Sequence, residues 1–117
     1  MVTVPTIPNR TIIPWNAIHS VVEQITANYN PQKIILFGSY AHGIPKSDSD
    51  VDLLVVMDMQ LSEMKQAAEI CTHVSYHFGL DLIVCTSQKL AQRLEWGDSF
   101  LKGIIRRGII RYESLDA

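Results

Sequence analysis

Residues 33–57 read KIILFGSYAHGIPKSDSDVDLLVVM. Two apolar runs, Lys33–Phe37 and Asp50–Met57, are short and rich in Ile, Leu and Val, so each predicts a β-strand. The second is apolar without alternation beyond its opening acids. It therefore predicts a central strand covered on both faces. Between them stand Gly38-Ser39, a segment Tyr40–Ile44 long enough for about one helical turn, and a polar loop, Pro45–Ser49. A strand that ends in Gly-Ser and turns at once into a helix leaves backbone N–H groups unpaired at the turn. Glycine lets a ligand approach the backbone, and a serine hydroxyl adds a donor. A tight strand-to-helix turn with a serine cap is the plain alternative.

Outward from this stretch, residues 1–13 (MVTVPTIPNRTII) predict an extended arm, because Pro5 and Pro8 block helix. Pro14 can open a helix at its first position. Trp15, Ile18, Val21, Val22 and Ile25 then recur at helical spacing, and Asn30-Pro31 ends the run. Downstream, Leu61, Met64, Ala68, Cys71, Val74 and Phe78 predict a helix over 61–78 with that row in the core, stopped by Gly79. Leu80–Cys85 (LDLIVC) predicts a third strand. Thr86 or Ser87 caps a helix running to Trp96, Gly97-Asp98 breaks it, and a last helix spans 99–107 before Gly108. Ile109–Tyr112 predicts a short edge strand. The expected fold is a small α/β (α+β) sandwich, a sheet of three to four strands flanked by helices. Residues 14–117 are expected to form one domain behind the arm.

The chain has 117 residues, 47% apolar and 19% charged, the balance of an ordinary globular domain. Its net charge of −2 argues against a general nucleic-acid binder. The longest apolar run, Leu53–Met57, is far short of the roughly 20 residues of a membrane span. No secretion signal is visible, and Cys71 and Cys85 lack CxxC spacing, so they read as reduced thiols of a cytoplasmic protein.

Three acids carry the chemistry. Asp50 and Asp52 are i and i+2 at the head of a strand, so alternation puts both on one face. Side by side in an apolar strand they repel each other and lose solvation, and a divalent cation removes both penalties. Oxygen-only ligands suit Mg²⁺ better than Zn²⁺. Asp81 interrupts the third strand in the same way. If the strands of Asp52 and Asp81 are neighbours, the carboxylates converge at one end of the sheet. That is the layout of a two-metal phosphoryl or nucleotidyl transfer site, with metals roughly 4 Å apart. Asp48 and Ser49 read as loop residues.

Residues 38–52, GSYAHGIPKSDSDVD, place ten residues between Ser39 and Asp50. This GS-x10-DxD pattern, with a later strand-borne Asp, resembles the minimal nucleotidyltransferase (MNT) branch of the DNA polymerase β-type nucleotidyltransferases, over about residues 15–112. The resemblance implies a polymerase β-like fold with a mixed sheet. It implies that Gly38 and Ser39 contact a nucleotide triphosphate, that Asp50 and Asp52 hold Mg²⁺, and that Asp81 completes the metal site. Chains of this length resemble the antitoxin of MNT–HEPN toxin–antitoxin pairs. That implies transfer of AMP from ATP to a tyrosine of a partner HEPN RNase toxin, in a hetero-oligomer; charge and the short apolar runs separately lead to an expectation of no direct nucleic-acid or membrane binding. One departure is His42-Gly43, where the family often has Arg-Gly; a protonated His42 would still meet phosphate. Lys46 lies where the family often places a basic residue for the nucleotide, and a solvated loop lysine is its plain alternative.

Weaker signals have bland readings. His73 and His77 are four apart on the expected helix, but Val74 breaks the HExxH pattern, so they read as a helix flank. Six of the ten basic residues, Lys89, Arg93, Lys102, Arg106, Arg107 and Arg111, fall in the last 29. They form either a solvated helical face or a docking or phosphate-facing surface near the acids. Trp96, Phe100 and Tyr112 read as packing for the C-terminal helices. Two rival functions stand beside the protein adenylyltransferase: an antitoxin that neutralises its partner by binding alone, and a nucleotidyltransferase for a small molecule such as an aminoglycoside. The latter's relatives usually carry a further helical domain, for which 117 residues leave no room.

Overall fold

The computed structural model describes residues 12–46 and 48–115. In chain order they form α1 (Trp15–Tyr29), β1 (Lys33–Phe37), α2 (Ser39–His42), β2 (Val51–Val56), α3 (Glu63–His73), β3 (Leu80–Cys85), α4 (Ser87–Glu95), α5 (Ser99–Arg107) and β4 (Ile109–Glu113). Most of the arm expected over residues 1–13 lies outside the described residues.

Local chemistry sets the element ends. Pro14 is the residue before α1 rather than its first helical residue, and its carbonyl accepts from the N–H groups of Ala17 and Ile18. Asn30 closes α1 in the left-handed conformation at φ 49°, and Pro31 prevents continuation. The side chains of Ser62, Thr86 and Asp98 accept from the N–H groups of Lys65, Lys89 and Leu101, capping α3, α4 and α5. Among the described residues no helix is long and apolar enough to cross a membrane.

The four strands lie in the order β3-β2-β1-β4. β1 pairs antiparallel with β2 and with β4, whereas β2 and β3 are parallel, joined through α3. The sheet is therefore mixed, and β2 is interior as its unbroken apolar run predicts. One face packs Ile34, Leu36, Leu53, Val55 and Val84 against Ile18, Val21, Val22 and Ile25 of α1 and Ile70 of α3. The opposite face packs Ile35, Leu54, Val56 and Cys85 against Leu101 and Ile104 of α5, with Leu90 and Leu94 of α4. Each fully buried Leu or Ile here contributes about 1.5–3 kcal/mol of transfer free energy. Cys71 and Cys85 are free thiols, and burial pushes Cys85 up to about 11.

Three expectations are corrected. The helix over 61–78 is shorter, Glu63–His73, and it is turned: Gln66 and Ile70 are buried, whereas Met64 is 83% and Leu61 44% exposed. Ala67 and Ile70 lie on a second row at equally good helical spacing, and that row meets the sheet, whereas of the expected row Val74 is buried as predicted. The chain leaves the helix after His73 because Gln24 of α1 pins it there, accepting from the Ser75 N–H and donating to the Ser75 carbonyl. His77 is consequently off the helix, and Gly79 leads into β3 instead of ending α3. Trp15, expected in the core row of α1, is 53% exposed and lies beneath the Arg111 guanidinium at 5.3 Å. Arg111 reaches it from an irregularity in the β1–β4 pairing, where Ile34 faces Tyr112 and Ile35 faces Ile110. Of the three aromatics expected to pack the C-terminal helices, Trp96 is exposed, and Tyr112 packs on the α1 side of the sheet.

Candidate active site

β1 and β2 are registered so that Phe37 faces Asp52. The next residue, Gly38, has φ 78° and ψ −157°, a backbone conformation open almost only to glycine. Its carbonyl accepts from the N–H groups of Ala41 and His42, which folds the chain into α2. A Cβ at Gly38 would fall on a carboxylate oxygen of Asp52. Glycine is thus required there by conformation and by space. Ser39 is the first residue of α2 and is half-buried.

The parallel register of β2 and β3 sets Asp52 directly beside Asp81. Neighbours in register share a face, and Leu54, two residues from Asp52, identifies it as the α5 side. Asp52 is pushed up to about 6, by burial first, then by the charges of Asp81 and Asp50. Asp50 precedes the first residue of β2 and is exposed, its carboxylate against Gly79, where a Cβ would overlap it. Two of the three acids therefore lie on backbone that has no side chain to displace them.

Asp52, Asp81 and Gly38 line a cavity of about 400 Å³. Phe37, His42 and Ile83 complete the sheet side, and Ser99, Phe100, Gly103, Ile104 and Arg107 of α5 form the facing wall. Phe100 stands edge-on to Phe37, ring centroids 5.9 Å apart. Ser39, Asp50 and Lys46 are not part of the lining. Lys46 is exposed in the loop, which Ser49 closes by accepting from the Lys46 N–H at 2.8 Å.

Among the described residues no three His, Cys, Asp or Glu groups close into a metal cage. The acids are instead spread along the sheet end, with Asp50 outside the cavity lined by Asp52 and Asp81. The donor set is nevertheless oxygen-only and anionic. Burial first, and then the charges of Asp81 and Asp50, raise Asp52, and a hard divalent cation relieves both penalties, so these residues suit such a cation.

Phe100 reads as packing, and only the basic character of residues 89–111 hints that a cation faces the acids; Arg107 is that cation.

The chain matches the family described as Polymerase beta, Nucleotidyltransferase over residues 20–110. It is 30% identical over 100 residues to the putative protein adenylyltransferase of Methanocaldococcus jannaschii, covering 82% of this chain and 95% of that protein. In fold it is similar to the crystal structure of a putative nucleotidyltransferase from Sulfolobus solfataricus, with a TM-score of 0.59, 15% identity, and 84% of this chain and 78% of that one covered. With the match spanning the glycine–serine turn, both strand-borne acid positions and the helix that walls the cavity, the chain belongs to the polymerase beta nucleotidyltransferase family.

Proposed function

We propose that this chain is a Mg²⁺-dependent protein adenylyltransferase that moves AMP from ATP onto a tyrosine hydroxyl of a partner HEPN RNase toxin, and so acts as its antitoxin. The observation that carries the transferase reading is the register of Asp52 with Asp81, both lining one cavity with Gly38. A protein acceptor is favoured by the relative from Methanocaldococcus jannaschii. It is also favoured by the exposure of Asp81, Ser99 and Phe100, which puts the cavity wall within reach of a macromolecular surface. The HEPN partner rests on the resemblance of the GS-x10-DxD chain to MNT antitoxins.

In this reading Asp50, Asp52 and Asp81 would hold Mg²⁺, which supplies charge neutralisation at the reacting phosphate. Gly38 and Ser39 orient the β- and γ-phosphates, with Lys46 approaching from the loop. Asp81, the most exposed cavity acid, takes the proton of the incoming hydroxyl. The hydroxyl oxygen forms the new bond to the α-phosphorus, and the bond to pyrophosphate breaks. The protein's contribution is positioning and charge complementarity.

Co-expression with the partner tests this by intact mass. The partner should gain whole AMP units with this chain and none with Asp52→Ala. A tight complex with unmodified partner would instead establish neutralisation by binding alone. Protons compete with metal at Asp52, whose carboxyl sits at about 6. Apparent Mg²⁺ affinity should therefore fall about tenfold per pH unit below pH 6 and level off above it. Calorimetric titration between pH 5 and 8 reads this, and a flat profile would remove Asp52 from the metal site.

A further inference from the structure

α5 is interrupted by glycine at its centre, Gly103, which lowers helix propensity and is needed there neither for a turn nor for a positive φ. The gap is filled from within the helix. A Cβ at Gly103 would lie 2.9 Å from a terminal nitrogen of Arg107, four residues on. The guanidinium thus folds back along α5 over the missing side chain, and Arg107 joins Gly103 and Ser99 in the cavity wall that faces Asp52 and Asp81. It makes none of the ion pairs found among the described residues. Nor is it close enough to either aspartate to pair, although both line the same cavity. His42 is the other basic side chain there, but a guanidinium is the group that is always charged. Arg107 is therefore the permanent cation of the lining, held across open space from two carboxylates.

We propose that Arg107, laid in the groove left by Gly103, is the phosphate-binding residue of the α5 wall and grips a phosphoryl group of the nucleotide by its two-pronged guanidinium. This rests on the nucleotidyl-transfer reading and extends it to the side of the cavity opposite Gly38. A planar fork of donors suits phosphate oxygens, and lysine cannot reproduce it. A cation in the last turn of a helix also stabilises the helix dipole, which would be its whole role if it touched no ligand. Arg106 supplies the internal comparison. It has the same charge in the same helical turn and is exposed as Arg107 is, but it lies outside the cavity lining.

The test is calorimetric binding of ATP, and of adenosine, to the full chain in Mg²⁺, without acceptor. Arg107→Gln should weaken ATP binding tenfold or more and leave adenosine unchanged, whereas Arg106→Gln should shift ATP by less than twofold. Arg107→Lys should recover only part of the loss. Gly103→Ala gives an opposite-sign check, because it raises helix propensity yet displaces the guanidinium. It should raise Tm while weakening ATP several-fold. Equal ATP affinity in Arg107→Gln and Arg106→Gln would overturn the inference alone. So would an equal loss for ATP and adenosine, which would indicate damage to the cavity. Absence of any ATP binding by the parent chain would overturn the transferase reading, and this inference with it.

Discussion

Asp52→Ala should lower AMP transfer by at least about a thousandfold and leave the sheet folded. The expected size follows from what the side chain does: it is the acid shared by the Gly38 turn, the β3 neighbour Asp81 and the cavity. Removing a single preorganised charge-stabilising group in such a site costs about 10²–10³ in rate, and the loss of a shared metal ligand adds to that. Stability should move the other way. Without metal, Asp52 is held at about 6 against an ordinary 3.8, so the folded chain binds more protons than the unfolded chain between those values. Stability therefore falls as pH rises from about 4 to 6, through this group. Asp52→Asn cancels that fall and should melt at or above the parent at pH 7.5 in EDTA. Added Mg²⁺ should raise the parent's Tm and leave the variant's unmoved. A variant that is inactive because it is unfolded would show a lower Tm and would not bear on the chemistry.

Gly38→Ala should damage both fold and activity, and Gly97 shows how much of that belongs to the site. Both glycines have positive φ, 78° and 87°. A Cβ at Gly97 meets nothing within 4 Å, whereas at Gly38 it falls on the Asp52 carboxylate. Gly97→Ala thus carries conformational strain alone, about 1 kcal/mol. Gly38→Ala carries strain of about 1–3 kcal/mol in a region that is nearly glycine-only, plus the displacement of Asp52. Urea unfolding should place Gly38→Ala about 2–4 kcal/mol below the parent and clearly below Gly97→Ala. Its transfer rate should fall by about two orders of magnitude or more, with Gly97→Ala near the parent. Equal losses in the two variants would mean that the contact between Gly38 and Asp52 does not matter.

Where neighbouring residues decide an element, the sequence is a good guide. Lys33–Phe37, Leu80–Cys85 and the helix over 99–107 agree with the structure at both ends, because glycine, proline and capping side chains stand at their borders. α3 shows where such reading runs out. Two interleaved rows, one through Met64 and Ala68 and one through Gln66 and Ile70, are equally helical, and only the sheet chooses between them. The end of α3 is set by Gln24, fifty-one residues from Ser75. The site divides in the same way. Asp52 and Asp81 are legible because an acid in an apolar strand is anomalous wherever it occurs, and Gly38 because a glycine–serine pair directly follows a buried strand. Their meeting depends on β2 and β3 being parallel neighbours, which a sequence reading states only as a condition. The α5 wall, with Phe100 and Arg107, is brought to the acids by packing across the second face of the sheet. Within residues 99–107 only the basic residues hint at it, and a solvated face explains them equally well.

A crystal structure of the chain with Mn²⁺ in place of Mg²⁺ and an ATP analogue that cannot be cleaved at the α-phosphate bears most directly on the whole scheme. Anomalous peaks should appear on the carboxylates of Asp52 and Asp81, with the triphosphate lying between Gly38 and the α5 wall. Manganese absent from both aspartates, or a nucleotide seated away from Gly38, would contradict it.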